Sequence, residues 1–234
     1  MVGRLVDKGL HDELTGEAYA VIDGTDGRAH HIRFRGIEAF EHAPPKGGIV
    51  EVRRFGGPQD ERPTLVLATR SDLDLRSQIT APGATWLDHR LVEREPTPLS
   101  MAGFGREARD ALQARTEHLA DQGLARRQGQ RVILQRDLLS TLRRRELDAV
   151  GEKLSTETGL PHVKAAAGEH VSGVYRQRLN LSSGRFAMLD NGLGFQLVPW
   201  SREIERKLGH HIAGVARDGG GIEWSLGRKR DLGL

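Results

Sequence analysis

Gly184-Arg185-Phe186-Ala187-Met188-Leu189-Asp190-Asn191-Gly192-Leu193-Gly194-Phe195-Gln196-Leu197-Val198 is a pair of apolar runs joined through Asn-Gly. Asn-Gly between such runs marks a β-hairpin, because both central residues of a type I′ turn need positive φ. The chain is therefore expected to turn at Asn191-Gly192. Upstream, Val171-Ser172-Gly173-Val174-Tyr175-Arg176 supplies another strand. Downstream, Arg202 to Leu208 reads as one helical turn before the strand His211 to Ala216. Asp218-Gly219-Gly220-Gly221 then turns the chain into Ile222-Glu223-Trp224-Ser225-Leu226. Short strands at this spacing favour a small barrel or sandwich.

The first third shares the layout in pattern, though not in residue identity. Glu17 to Ile22 runs through the turn-rich Asp23-Gly24-Thr25-Asp26-Gly27 to His30-His31-Ile32-Arg33-Phe34, a second hairpin. Pro44-Pro45-Lys46-Gly47-Gly48 introduces a third strand, Ile49 to Phe55, and a fourth follows at Thr64 to Thr69. Hairpin, irregular crossover and glycine-introduced strand thus occur twice, which suggests an internal repeat.

Between them the period changes. Ser71-Asp72-Leu73-Asp74 is a helix start, its oxygens placed to accept from first-turn amides. Asp72 and Asp74, two residues apart, diverge by ~200° on a helix and so read as capping residues, not an acid–base pair. A short segment around Trp86-Leu87 and Leu91-Val92 is followed by a helix with Phe104, Ala108, Leu112 and Leu119 on one face. Gly123 and the apolar Leu124 end it in the manner of a left-handed cap. Leu124 to Leu134 then reads as a hairpin wedged before another helix, about 136 to 158. On that helix Leu138, Leu139 and Leu142 lie about a quarter turn from Leu147, Val150 and Leu154, which predicts a bend or a face shared between two neighbours. The expected fold class is α+β: two small antiparallel β-barrel-like domains, 1–70 and 164–234, flanking a helical, winged-helix-like middle, 71–163.

The 234 residues carry 35 Lys+Arg against 32 Asp+Glu, a net charge of +3 too small to demand a nucleic-acid partner by itself. The absence of cysteine excludes disulfides, thiolate zinc sites and thiol nucleophiles. No stretch approaches the ~18 apolar residues of a membrane span, so no membrane insertion and a cytoplasmic location are expected.

Distribution of charge says more than its sum. Arg126, Arg127, Arg131 and Arg136 surround the central hairpin, and Arg143, Arg144 and Arg145 follow on the next helix, with Asp137 and Glu146 as close acidic company. Arginines on a hairpin between two helices could meet phosphates, which makes DNA the expected partner; the bland alternative is a solvated face paired with carboxylates. Trp200, beside Pro199, is the candidate for base stacking, whereas Phe186, Phe195 and Trp224 read first as barrel core. No nucleophile elbow or P-loop occurs. No cofactor, metal or catalytic residue is expected.

Trp86-Leu87-Asp88, Gly103-Phe104-Gly105, Gly123 to Arg127, Leu142 to Leu147, Gly184 to Met188, Gly192 to Phe195 and Leu197 to Trp200 resemble the functionally uncharacterised C-terminal domain of bacterial relaxase/mobilization nuclease proteins. These are related to the agrobacterial border-nicking relaxase, and the resemblance runs over nearly the whole chain. In that family a separate N-terminal domain nicks DNA with a tyrosine and a metal-holding histidine cluster. Here no His-x-His element occurs, and His30-His31 and His210-His211 sit in strand-like runs where neighbours point apart. Tyr19 and Tyr175 lie in alternating runs and are expected in the barrel cores. The resemblance implies a non-catalytic DNA-binding accessory region of a conjugative relaxase, handling nicked or single-stranded plasmid DNA at the origin of transfer. The alternative is a protein-interaction module recruiting relaxosome or type IV secretion coupling proteins.

Overall fold

Three hairpin-connected strands open the structure: β1 (Val2–Leu10), β2 (Ala18–Gly24) and β3 (Ala29–Phe34). The structure, a computed structural model, describes residues 1–57, 64–129, 131–218 and 221–225. A 3-10 turn at Ile37–Phe40 leads to β4 (Ile49–Phe55), which pairs beside β1, and β5 (Thr64–Ser71) adds to its far side. The resulting antiparallel sheet has the order β3-β2-β1-β4-β5, a Greek-key arrangement. The sequence alone yields four of these strands. The missing one is the central β1, whose alternation is broken by a bulge between Leu5 and Asp7.

Helices α1 (Leu75–Ile79), α2 (Trp86–Val92) and α3 (Gly103–Asp121) follow. Asp74 caps α1 by accepting from the Ser77 amide at 2.7 Å. Thr85 and Asp88 close a reciprocal capping box on α2. The end of α3 has the bond pattern of a Schellman cap, Leu124 N donating to Leu119 O at 2.8 Å and Gly123 N to Ala120 O at 3.0 Å. Ile49 of the sheet, Trp86, Leu87, Phe104 and Ala108 pack into one cluster, while Leu5, Ile22, Phe34, Phe40 and Val50 fill the other side of the sheet. A short hairpin, β6 (Ala125–Gln128) and β7 (Arg131–Leu134), precedes α4 (Leu138–Thr158). Leu138 and Leu142 join Leu119 and Leu124 in a further cluster.

The chain groups into two compact units, 1–142 and 143–234. The sequence reading draws its boundaries at 70/71 and 163/164 instead; the first sheet and the short helices share one unit, and most of α4 belongs with the second sheet. Its two leucine stripes accordingly serve different clusters, Leu138 and Leu142 in the first unit and Leu147, Val150 and Leu154 in the second.

The second unit contains β8 (His170–Leu181), β9 (Gly184–Asp190), β10 (Phe195–Pro199), a 3-10 turn at Arg202–Lys207, β11 (His211–Ala216) and β12 (Ile222–Trp224). Their order, β10-β9-β8-β11-β12, repeats that of the first sheet strand for strand. The repeat extends to single hydrogen bonds. Leu5 N donates to Gly48 O at 2.9 Å and Gly47 N to Leu5 O at 2.8 Å; Tyr175 N donates to His210 O at 3.0 Å and Gly209 N to Tyr175 O at 2.8 Å. Gly47 and Gly209, with φ of 93° and 79°, make the same left-handed turn into the fourth strand. Both first strands bulge just beyond this point, at Leu5/Asp7 and Tyr175/Gln177.

Neither sheet is a closed barrel: among the described residues β3 and β5 are edges of one, β10 and β12 of the other. The architecture is α+β with antiparallel sheets. The hairpin at Asn191-Gly192 forms, but through a four-residue connection, since Asp190 pairs with Phe195. Asn191 does not take positive φ; its Oδ1 accepts from the amides of Leu193 and Gly194, both at 3.0 Å, so the side chain closes the turn. No helix among the described residues is long and apolar enough to cross a membrane.

Candidate nucleic-acid interface

The β6–β7 hairpin is anchored at its base and polar at its tip. Leu124 and Ala125 are buried against Leu119, Leu138 and Leu142. Beyond them Arg126 pairs with Ile133, Arg127 with Val132 and Gln128 with Arg131, and all of these side chains are exposed. Cross-strand partners share a face, so Arg126 and Arg131 lie on one side and Arg127 on the other. Arg127 meets Glu117 of α3 at 3.1 Å, and it lines a hollow of about 450 Å³ with Gln113, Thr116, Gly129, Arg131 and Val132, which the hairpin tip brings together. Arg126 and Arg131 have no carboxylate partner among the described residues.

Arg136 is exposed in the turn before α4, and Arg144 and Arg145 are exposed on the helix, each likewise without a carboxylate among the described residues. Arg143 is different. It is half-buried, lines a cavity of about 300 Å³ with Leu147, Phe186, Pro199 and Arg217, and its Nε has no hydrogen-bond partner among the described residues. The acidic neighbour Glu146 does not neutralise these arginines. Its carboxylate is buried and accepts from the amides of Ser182 and Ser183, at 2.7 and 2.9 Å, fastening the β8–β9 turn to α4.

Trp200 stands half-buried at the end of β10. The guanidinium carbons of Arg178 and Arg185 lie 5.5 and 5.7 Å from its ring centroid, within cation–π range. Arg178 also reaches Glu205 at 3.0 Å. Sequence reasoning finds Trp200 but neither arginine, because their approach depends on strand register: Phe186 pairs with Pro199, which sets Arg185 beside Trp200. Phe186 and Phe195 are core residues, as expected. Trp224 is half-buried against the cluster of Val171, Tyr175 and Ile212, distinct from that of Phe195, and donates its indole N–H to Ser201 Oγ at 3.1 Å.

Tyr175 is buried, and burial pushes its phenol pKa up. Tyr19, in contrast, is not a core residue. It points to the outer face of its sheet and donates to Asp7 at 3.0 Å; that bond and the carboxylate charge raise its pKa, the opposite of what a phenolate nucleophile needs. The two histidines of the adjacent pair diverge, His30 to Asp26 at 3.0 Å and His31 onto Tyr19. Among the described residues no group of three His, Asp or Glu side chains could hold a metal ion.

No curated protein and no solved structure matches the chain. Residues 1–64 and 58–233 match the family described as "Protein of unknown function (DUF3363)", so the chain belongs to that family.

Proposed function

We propose that this chain is a non-catalytic DNA-binding accessory region of a cytoplasmic conjugative relaxase, handling nicked or single-stranded plasmid DNA at the origin of transfer. One observation supports the reading: Arg126 and Arg131 stand exposed on a hairpin anchored at its base, with no carboxylate partner among the described residues. Guanidiniums without a carboxylate among the described residues are suited to phosphate oxygens, and a hairpin between two helices could present them as a wing does. The exposed Arg144 and Arg145 enlarge the basic surface of α4 within the second unit. The protonated Tyr19 phenol supports a role without strand cleavage. Resemblance to relaxase C-terminal regions supplies the conjugative context.

A second reading, a docking module for relaxosome or type IV secretion coupling proteins, draws on the same hairpin. Val132 and Ile133 are 42% and 36% exposed there, an apolar offering that phosphate does not need. The two readings separate in a gel shift with single- and double-stranded DNA at two salt concentrations, repeated on a variant carrying Arg126→Gln, Arg127→Gln and Arg131→Gln. DNA handling requires weaker binding for every sequence and a log–log salt slope flattened by roughly 0.7 to 0.9 per lost contact. Binding equal to the parent's, or salt-insensitive capture of a secretion coupling protein that is lost on Val132→Asp, favours the docking module.

A further inference from the structure

The outer face of β2 and β3 in the first unit carries aromatic and cationic side chains. Register sets Tyr19 opposite Arg33 and Val21 opposite His31, with His31 and Arg33 exposed. The Tyr19 ring lies over Gly9, where a Cβ would come within 3.1 Å of it. It stacks on His31 with centroids 5.2 Å apart and planes inclined by 11°, and His11 meets the His31 ring edgewise at 6.0 Å. Asp7 accepts from the phenol and pairs with Lys46 at 2.6 Å, so the nearest carboxylate is already neutralised. Tyr19 is thus fixed from below by Gly9, from the side by Asp7 and across the strand by His31.

The internal repeat shows what such a face does when it is structural. The hydrogen-bond correspondence that equates Leu5 with Tyr175 equates Tyr19 with Phe186, Val21 with Met188, His31 with Leu197 and Arg33 with Pro199. In the second unit Met188 and Leu197 are buried against Leu147, Val150 and Leu154 of α4. One module face is therefore apolar and covered by a helix in the second unit; in the first, α3 covers its Arg4–Asp23 end, where Arg4 meets Glu107, and the patch of Tyr19, His31 and Arg33 is aromatic and cationic, with His31 and Arg33 exposed. A leucine-lined helix could not cover that patch without burying Arg33 unpaired. Five-stranded Greek-key barrels that bind oligonucleotides use the face of strands two and three; this sheet is not closed, but it has the same strand order and presents the corresponding surface. Single strands are held on such faces by bases stacked on rings and phosphates on cations.

We infer that the outer face of β2 and β3 binds single-stranded nucleic acid, a base stacking on the His31–Tyr19 pair and Arg33 meeting an adjoining phosphate. Bases in a duplex cannot reach the rings, so the site selects for single strands. It is separate from the arginine hairpin, and its failure would leave the hairpin reading untouched.

The test uses the full chain and a fluorescent oligothymidylate of about 15 nucleotides, matched to the ~4–16-nucleotide site of one such fold. Binding is followed by anisotropy beside a duplex of equal length. His31→Ala combined with Arg33→Gln should weaken oligothymidylate binding about tenfold or more, on the scale of one lost stacking contact, and leave duplex binding within about twofold. The hairpin triple variant should weaken both ligands together. The exposed positions of His31 and Arg33 keep the fold out of the comparison, which an unchanged urea midpoint verifies. On the parent, a 4-thiothymidine oligonucleotide should crosslink within residues 18–34. Oligothymidylate affinity unchanged in the double variant, equal loss for both ligands, no oligothymidylate binding by the parent, or crosslinks confined to other peptides would each overturn the proposal.

Discussion

The Arg115 guanidinium meets the Asp88 carboxylate through two bonds, Nε to Oδ1 at 2.8 Å and Nη2 to Oδ2 at 2.9 Å, with neither side chain exposed to solvent. The remaining guanidinium donors go to the carbonyls of Ile79, Ala81 and Gly83 at 2.7 to 3.1 Å. Asp88 Oδ2 also accepts from the Thr85 amide and hydroxyl. One arginine of α3 therefore ties down the loop between α1 and α2 and the cap of α2. These helices back the sheet strand that carries Ile49, so the pair fixes the frame on which the hairpin stands.

Removing either partner leaves the other charge buried and uncompensated, which typically costs about 3–5 kcal/mol. Arg115→Met and Asp88→Ala should each lower the urea midpoint accordingly. Arg115→Lys should rescue little, because a single ammonium cannot span two carboxylate oxygens and three carbonyls. Midpoints within error of the parent's would show that the first unit does not depend on the pair.

Gly3 and Gly173 occupy matching places in the repeated sheets. A Cβ at Gly3 would collide with the carbonyl of Asp23, and one at Gly173 with that of Asp190. Backbone carbonyls in a paired strand cannot give way cheaply, so Gly3→Ala and Gly173→Ala should each cost about 1–3 kcal/mol. Thermal denaturation of the two variants checks this; an effect at one site and none at the other would mean that the repeat is not equivalent in packing.

Legibility followed the regularity of the pattern. β11 and α3 could be read because alternation or a helical stripe matched the side-chain periods. β1 could not, because its bulge moves Leu5 and Asp7 out of phase. Tyr19 reads as core for a related reason: its inward neighbours in β2 are the small Ala18 and Ala20, so size points to the wrong face. Arg115 sits on the stripe of Phe104, Ala111 and Leu119, and a charged residue on an apolar stripe was the available signal of a buried pair. The arginines beside Trp200 leave no local signal, since the β8–β9 and β9–β10 registers together set their places.

The full chain should leave supercoiled plasmid intact in Mg²⁺ or Mn²⁺. Tyr175 is buried, and Tyr19 is held protonated by Asp7 rather than activated by a base. Agarose electrophoresis of an origin-containing plasmid is sufficient. Relaxed product that disappears in Tyr19→Phe would contradict the non-catalytic reading.

His162 gives the second unit a stability that falls with acidity. Its ring stacks on Phe195 with centroids 5.2 Å apart and packs against Gly151 of α4. Burial lowers its pKa; Asp148 opposes that shift, and Lys164, itself paired with Asp148 at 2.7 Å, adds to it. With the folded value below the unfolded one of about 6.5, the unfolded chain takes up the proton first. The contribution is complete above that pH and shrinks as pH falls through it. Urea midpoints between pH 7.5 and 5.5 should therefore decline more steeply for the parent than for His162→Phe, which keeps a ring on Phe195 without the titration. Parallel declines would mean that the loss comes from other groups.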